Sequence, residues 1–165
     1  MSTDINDQTA VQDRLWHEIK KRGGTGMLGL TNSGQHFQPM TAFVEREAGQ
    51  IWFFTRKDTD LVQDIGAGAS AMFVFQVDDL QACIGGGLTL DHDKARIDKY
   101  WNAVVAAWYP GGKDDPMLTL LRMDCVDAEV WISQGGLTKF AWEIAKANAT
   151  HTTPDLGGRA HLDLH

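Results

Sequence analysis

From Met27 onward the pattern switches from the helical period to that of strands, in short runs of strong β-formers separated by turn residues, and this switch constrains the fold more than any other feature of the sequence. The runs are 27–31, 36–44, 51–55, 70–77 and 81–90, with two more at 118–123 and 128–132. Asn32-Ser33-Gly34, the stretch 45–50 and Asp78-Asp79 lie between them and supply hairpin turns. Short strands joined by tight turns favour an antiparallel sheet over βαβ units. Six or seven such strands close into a barrel. Pro39 inside the second run marks an edge or a bulge, because proline has no N–H for the ladder.

Helical periodicity flanks this core. Val11, Leu15 and Ile19 recur every four residues with Trp16 beside them, and Lys20, Lys21 and Arg22 precede the breaker Gly23-Gly24. A short helix is predicted from Asp58 to Ile65, and a long one from about Asp93, with Ile97, Trp101, Val104, Val105 and Trp108 on one face, ending at Tyr109-Pro110-Gly111-Gly112. Leu137, Phe140, Ala141, Ile144 and Ala145 define a last amphipathic helix. The division predicted is one mainly β domain with flanking helices over residues 1–150, followed by a solvated or draped tail, 151–165, rich in Thr, His and Gly.

Composition narrows the function. Fifteen Lys and Arg stand against 22 Asp and Glu, a net charge of −7, which disfavours nucleic acid or an anionic membrane as the main partner. No apolar run has the roughly 18 residues a membrane span needs. Two cysteines, Cys83 and Cys125, form no framework and no metal-spaced cluster, so a reduced, cytoplasmic setting is expected, with no metal site.

Familiar motifs fail on context. Gly24-Thr25-Gly26-Met27-Leu28-Gly29 spells GxGxxG, but it follows a helix and opens a strand, the reverse of the dinucleotide-binding arrangement. Gly66-Ala67-Gly68-Ala69-Ser70-Ala71 fails likewise, and His17-Glu18 lacks a second histidine at zinc-protease spacing. Arg56 and Lys57 are less easily dismissed, since they sit where a strand passes into a helix and the helix dipole is positive. Cations there are mildly unfavourable unless an anion binds, when they become a phosphate cradle. The residues alone leave two readings open: that cradle, or a solvated turn offset by Asp58 and Asp60. Six tryptophans, scattered over separate elements, suit a core or an interface and also suit the wall of a planar ligand site.

Gln38-Pro39-Met40-Thr41 followed by Ile51-Trp52-Phe53-Phe54-Thr55 resembles the pyridoxamine 5′-phosphate oxidase-like, FMN-binding split barrels. Tyr100-Trp101, the run Trp108-Tyr109-Pro110-Gly111-Gly112-Lys113-Asp114-Asp115-Pro116 and Ala128-Glu129-Val130-Trp131 are similar to the general stress protein 26 branch. The resemblance implies a six-stranded antiparallel split β-barrel, paired as a homodimer with flavin at the subunit interface. It implies non-covalent FMN, or FAD in its place, held by Gln38, Met40, Thr41, Phe54, Thr55, Arg56 and Lys57. The oxidases hold the FMN phosphate with an Arg where this chain has Gln38, and with an Arg-Lys pair where it has Asp60 and Leu61. Their substrate-phosphate residues have no match, so vitamin B6 oxidation is not carried over. The expected function is a flavin-dependent oxidoreductase of unassigned substrate, with NAD(P)H an admissible donor and no catalytic residue identified. The alternatives are a non-catalytic flavin or ligand carrier or sensor, and a dimeric scaffold with an empty site.

Overall fold

The computed structural model describes residues 3–21, 23–133, 135 and 137–165; Arg22 and the side chain of Leu137 lie outside them. The chain opens with α1 (Gln8–Lys21), which buries Val11, Leu15, Trp16 and Ile19 as its period requires. It continues through β1 (Thr25–Leu30), β2 (Gln38–Thr41), β3 (Phe43–Glu45), β4 (Gln50–Arg56), α2 (Asp60–Ile65), β5 (Ala69–Val77) and β6 (Leu80–Leu90). Then come α3 (Lys94–Tyr100), α4 (Ala103–Ala106), β7 (Leu118–Ser133), α5 (Leu137–Thr150) and β8 (Gly157–Asp163).

All strand pairings are antiparallel, in the order β2-β1-β5-β6-β7-β4-β3, with β8 added beside β7. The two ends of this path, β2 and β3, are consecutive in the chain and separated by Ala42 alone. The predicted second strand is thus one strand bent at Ala42, and the bend closes the sheet on itself. Ala42 is buried, and its N–H donates to the Gly24 carbonyl at 2.9 Å. Gly24 has φ +69°, and a Cβ there would stand 2.4 Å from the Ala42 oxygen, so only glycine fits this closure. Counting the bent strand once gives the six barrel strands expected, with β8 the addition.

Three expectations change. The tail does not remain outside the fold: β8 pairs with β7 from Asp127 to Ser133 and buries Ala160 and Leu162. The runs 118–123 and 128–132 are one strand, β7. Its apparent break is a bulge at Val126, where β6 skips from Gly85 opposite Asp127 to Gly86 opposite Cys125. The predicted long helix is two short ones. Trp101 adopts an extended conformation (φ −62°, ψ 130°), and Asn102 restarts the helix by accepting from the Val105 N–H at 2.9 Å. Val104 and Trp108, placed on a buried face by the longer helix, are instead 73% and 70% exposed.

β4 divides the interior. Ile51 and Phe53 point into the barrel core with Leu28, Phe73 and Leu121. Trp52 and Phe54 point to the other side, into a separate cluster with Ile97, Val105, Tyr109, Leu118 and Leu120 beneath α3 and α4. A strand apolar on both faces is what a position between two packed layers demands. Both cysteines are free thiols, Cys125 buried and Cys83 half-buried. No helix among the described residues is long and apolar enough to cross a membrane.

Candidate functional site

The α3–α4 side of β4 carries a cavity of about 650 Å³. Its floor is the end of β2 and the end of β4, with Pro39, Met40, Thr41, Phe54, Thr55 and Arg56. Phe43 and Thr25 close one side, Thr59 another, and the α4 segment roofs it with Asn102, Val104, Val105, Trp108 and Tyr109. A depression of the same volume near α2 is lined by Asn32, Ser33, Gly34, Asp64 and small residues, and offers neither an aromatic wall nor a cation. The first cavity has both, within the range of roughly 300–1,000 Å³ that small-molecule sites occupy.

Five of the seven predicted residues meet here: Met40, Thr41, Phe54, Thr55 and Arg56. Gln38 does not line the cavity; it sits at the other end of β2, opposite Leu28. Lys57 is exposed, and its backbone N–H donates to the Met117 carbonyl at 2.8 Å. The positions that hold Arg and Lys in the oxidases are equally decided. Asp60 is exposed, whereas Leu61 is 2% exposed in the core, where a cation has no place.

The strand-to-helix corner is more self-satisfied than a bare cradle. Arg56 forks onto Asp58, Nε to Oδ1 and a terminal nitrogen to Oδ2, both 3.1 Å. That hydrogen bond, the leading cause, holds the Asp58 carboxyl below its ordinary value and raises the guanidinium. Thr59 caps α2 with its own hydroxyl, which accepts from the Val62 N–H at 3.3 Å. Without a ligand the solvated-turn reading therefore describes the corner, through Asp58 rather than Asp60.

The residues not anticipated come from the roof. Tyr109 is 4% exposed, wedged between Phe54 and Trp101 at ring-centroid distances of 6.5 and 6.3 Å. Burial pushes its phenol up to about 12, so it remains protonated at neutral pH. The Gly-Gly-Lys-Asp-Asp-Pro loop that follows works as a brace. Asp115 accepts from the Gly111 and Met117 N–H groups, both at 2.9 Å, and Gly112, at φ +71°, makes the turn behind Tyr109. The signal for these positions was present in the Trp-Tyr-Pro-Gly-Gly run, a hallmark of the branch but not a set of assigned contacts.

The sequence matches the family described as pyridoxamine 5′-phosphate oxidase like over residues 10–155. No curated protein matches it. Among solved structures, one described as a general stress protein 26 from Jannaschia sp. CCS1 is 36% identical, covering 92% of this chain and 99% of its own, with a TM-score of 0.70. A general stress family protein from Xanthomonas campestris pv. campestris is 44% identical over 79% of this chain and 92% of its own, with a TM-score of 0.72. The general stress FMN/FAD binding protein from Xanthomonas citri is 42% identical over 78% and 93%, with a TM-score of 0.71. With the bent-strand barrel and the helix-roofed cavity in place, this chain belongs to the general stress protein 26 branch of the pyridoxamine 5′-phosphate oxidase-like split-barrel family.

Proposed function

We propose that this protein binds FMN, or FAD in its place, non-covalently in the cavity between β2, β4 and α4, and acts as a flavin-dependent oxidoreductase of the stress family. The observation that carries the reading is an aromatic and aliphatic cavity ending at Arg56, in a chain 42% identical to the FMN/FAD binding protein of Xanthomonas citri. The residues suit such a ligand. Phe54, Trp108 and Met40 give flat apolar walls for a ring, the threonines 25, 41, 55 and 59 bring hydroxyl-bearing side chains, and Arg56 supplies positive charge. When bound, a flavin supplies a ring that accepts and returns a hydride or single electrons. The chain's part is to orient that ring, exclude water with Phe54, Val105 and Trp108, and leave one face open to a donor; NAD(P)H is the donor class proposed.

The proposed assembly is a homodimer with the flavin at the interface. Met27 and Val74 support it: they face each other across β1 and β5 and are 40% and 38% exposed. Two free thiols suit a reducing, cytoplasmic location.

Among the described residues the cavity lining holds no histidine, carboxylate or thiol. That favours a second reading, a flavin carrier or sensor without turnover. The test is the absorption spectrum and mass of whatever co-purifies, followed by anaerobic mixing with NAD(P)H. Stoichiometric flavin that bleaches on a turnover timescale supports the enzyme. Bound flavin that does not bleach supports the carrier. A colourless protein that takes up neither FMN nor FAD overturns both.

A further inference from the structure

We propose that the Tyr109 hydroxyl and the Arg56 guanidinium together grip the phosphate of bound FMN, replacing the cations this chain lacks at Gln38, Asp60 and Leu61. The inference rests on the flavin reading above and names the donor pair that reading leaves open.

Tyr109 is a buried residue of the cavity wall whose hydroxyl makes no hydrogen bond to another described residue and is not itself shut away from the cavity. An O–H that faces a cavity and is committed to no protein acceptor is free to donate to a ligand there. Here the hydroxyl belongs to a residue of the cavity wall. Its ring cannot swing away, since Phe54 and Trp101 pack against it and Asp115 braces the loop behind it.

The position relative to Arg56 follows from strand geometry. Phe54 and Arg56 are two residues apart on β4, so their side chains leave the same face. Tyr109 packs on Phe54 and is therefore beside Arg56, and the two groups influence each other electrostatically. One neutral O–H donor and one guanidinium fork converging on one end of an apolar slot suit a phosphate ester. The phenol donates without an additional ionisation, and the cation balances the charge.

Two carboxylates bear on this corner. Asp115 is already occupied by two backbone N–H groups. Asp58 holds Arg56 in the ligand-free state, but the two side chains are 53% and 41% exposed, so their pairing is weak and a phosphate dianion can displace it.

The test compares FMN with riboflavin, which lacks the phosphate. Tyr109→Phe removes only the hydroxyl. It is expected to weaken FMN about tenfold or more, leave riboflavin affinity unchanged and leave the apo-protein's melting temperature unchanged. The chain has two tyrosines, so [¹³Cζ]tyrosine NMR of the unaltered protein gives two signals, with Tyr100 as the control. FMN is expected to shift the Tyr109 signal and riboflavin to leave it in place. This measurement stands even where Tyr109→Phe folds poorly. Unchanged FMN affinity with an unmoved Tyr109 signal overturns the inference while the flavin reading survives. Equal weakening of FMN and riboflavin also overturns it, placing the hydroxyl on the ring or its ribityl chain. Failure of the unaltered protein to bind either flavin ends both.

Discussion

Arg96 holds Glu45 in a two-point clasp, Nε to Oε2 and a terminal nitrogen to Oε1, each 2.9 Å, with its guanidinium 4.2 Å above the Trp52 ring. Tyr100 adds its hydroxyl to the same carboxylate at 2.6 Å. This cluster pins α3 to β3 and so fixes the start of the segment that roofs the cavity. The Arg96 hydrogen bond is the leading cause of the depressed Glu45 carboxyl, outweighing the opposing effect of burial.

Because the folded Glu45 titrates below its unfolded value, its stabilisation is complete above about pH 4.5. It is lost as pH falls through the lower, folded value. Glu45→Gln is expected to remove about 1–2 kcal/mol at pH 7, a fall in Tm of roughly 2–8 °C for a chain of this size. In thermal melts the gap between wild type and variant should narrow on acidification toward about pH 3. A gap constant from pH 7 to 3 would mean that Glu45 acts through packing alone.

Leu162 tests whether the C-terminal strand is structural. It is 1% exposed and belongs to the main core. Leu162→Ala is expected to cost about 2–4 kcal/mol, read as a lower urea midpoint at unchanged slope. A variant as stable as wild type would return residues 157–163 to the status of a draped tail.

What could be read from the sequence was local. The alternating burial of β5 and β6, the unbroken run of strong strand formers in β4 and the four-residue spacing of α1 identify elements whose own pattern matches their burial. The bend at Ala42, the bulge at Val126 and the pairing of β8 depend on partners far along the chain, so their residues carry no distinctive pattern. Trp101 and Asn102 show a related difficulty. Their neighbours keep helical spacing, and the break is visible only once Asn102 is seen to cap. The site divides in the same way. Thr55 and Arg56 end a recognisable strand, whereas Tyr109 reaches the same cavity from more than fifty positions further along, through its packing on Phe54.

Trp108 separates binding from folding. At 70% exposure, with one face on the cavity, it contributes little to the core. Trp108→Ala is expected to leave Tm within about a degree or two of wild type while weakening flavin about tenfold, since an aromatic platform under a planar ring contributes on the order of 1–2 kcal/mol. Unchanged affinity in a fluorescence titration would remove the roof from the site.

Arg56 and Lys57 are adjacent in sequence but not equivalent in the fold. Only Arg56 lines the cavity. Arg56→Ala alone is expected to reproduce most of the loss in FMN affinity of the double alanine variant, which is of the order of a hundredfold. Lys57→Ala should change it less than threefold at moderate salt, where an exposed charge is screened. Equal contributions from the two would place the phosphate outside the cavity.

The cations absent from α2 can be reintroduced one at a time, and burial decides the outcome. Leu61 is 2% exposed, packed with Val62 and Ile65 in the core. Leu61→Arg buries an unpaired charge and is expected to cost more than about 4 kcal/mol, leaving little folded protein. Asp60 is exposed in the first turn of α2. Asp60→Arg loses a favourable dipole contact but no packing, so the fold should persist with a Tm lower by about 1–3 °C. It also exchanges a negative for a positive charge four residues along the chain from Arg56, and should tighten FMN severalfold, with the gain fading as salt rises through the Debye range. Riboflavin, lacking the phosphate, should show no such gain. If Asp60→Arg folds yet binds FMN no more tightly than wild type at low salt, the phosphate lies away from this end of the cavity, and the assignment to Arg56 and Tyr109 fails with it.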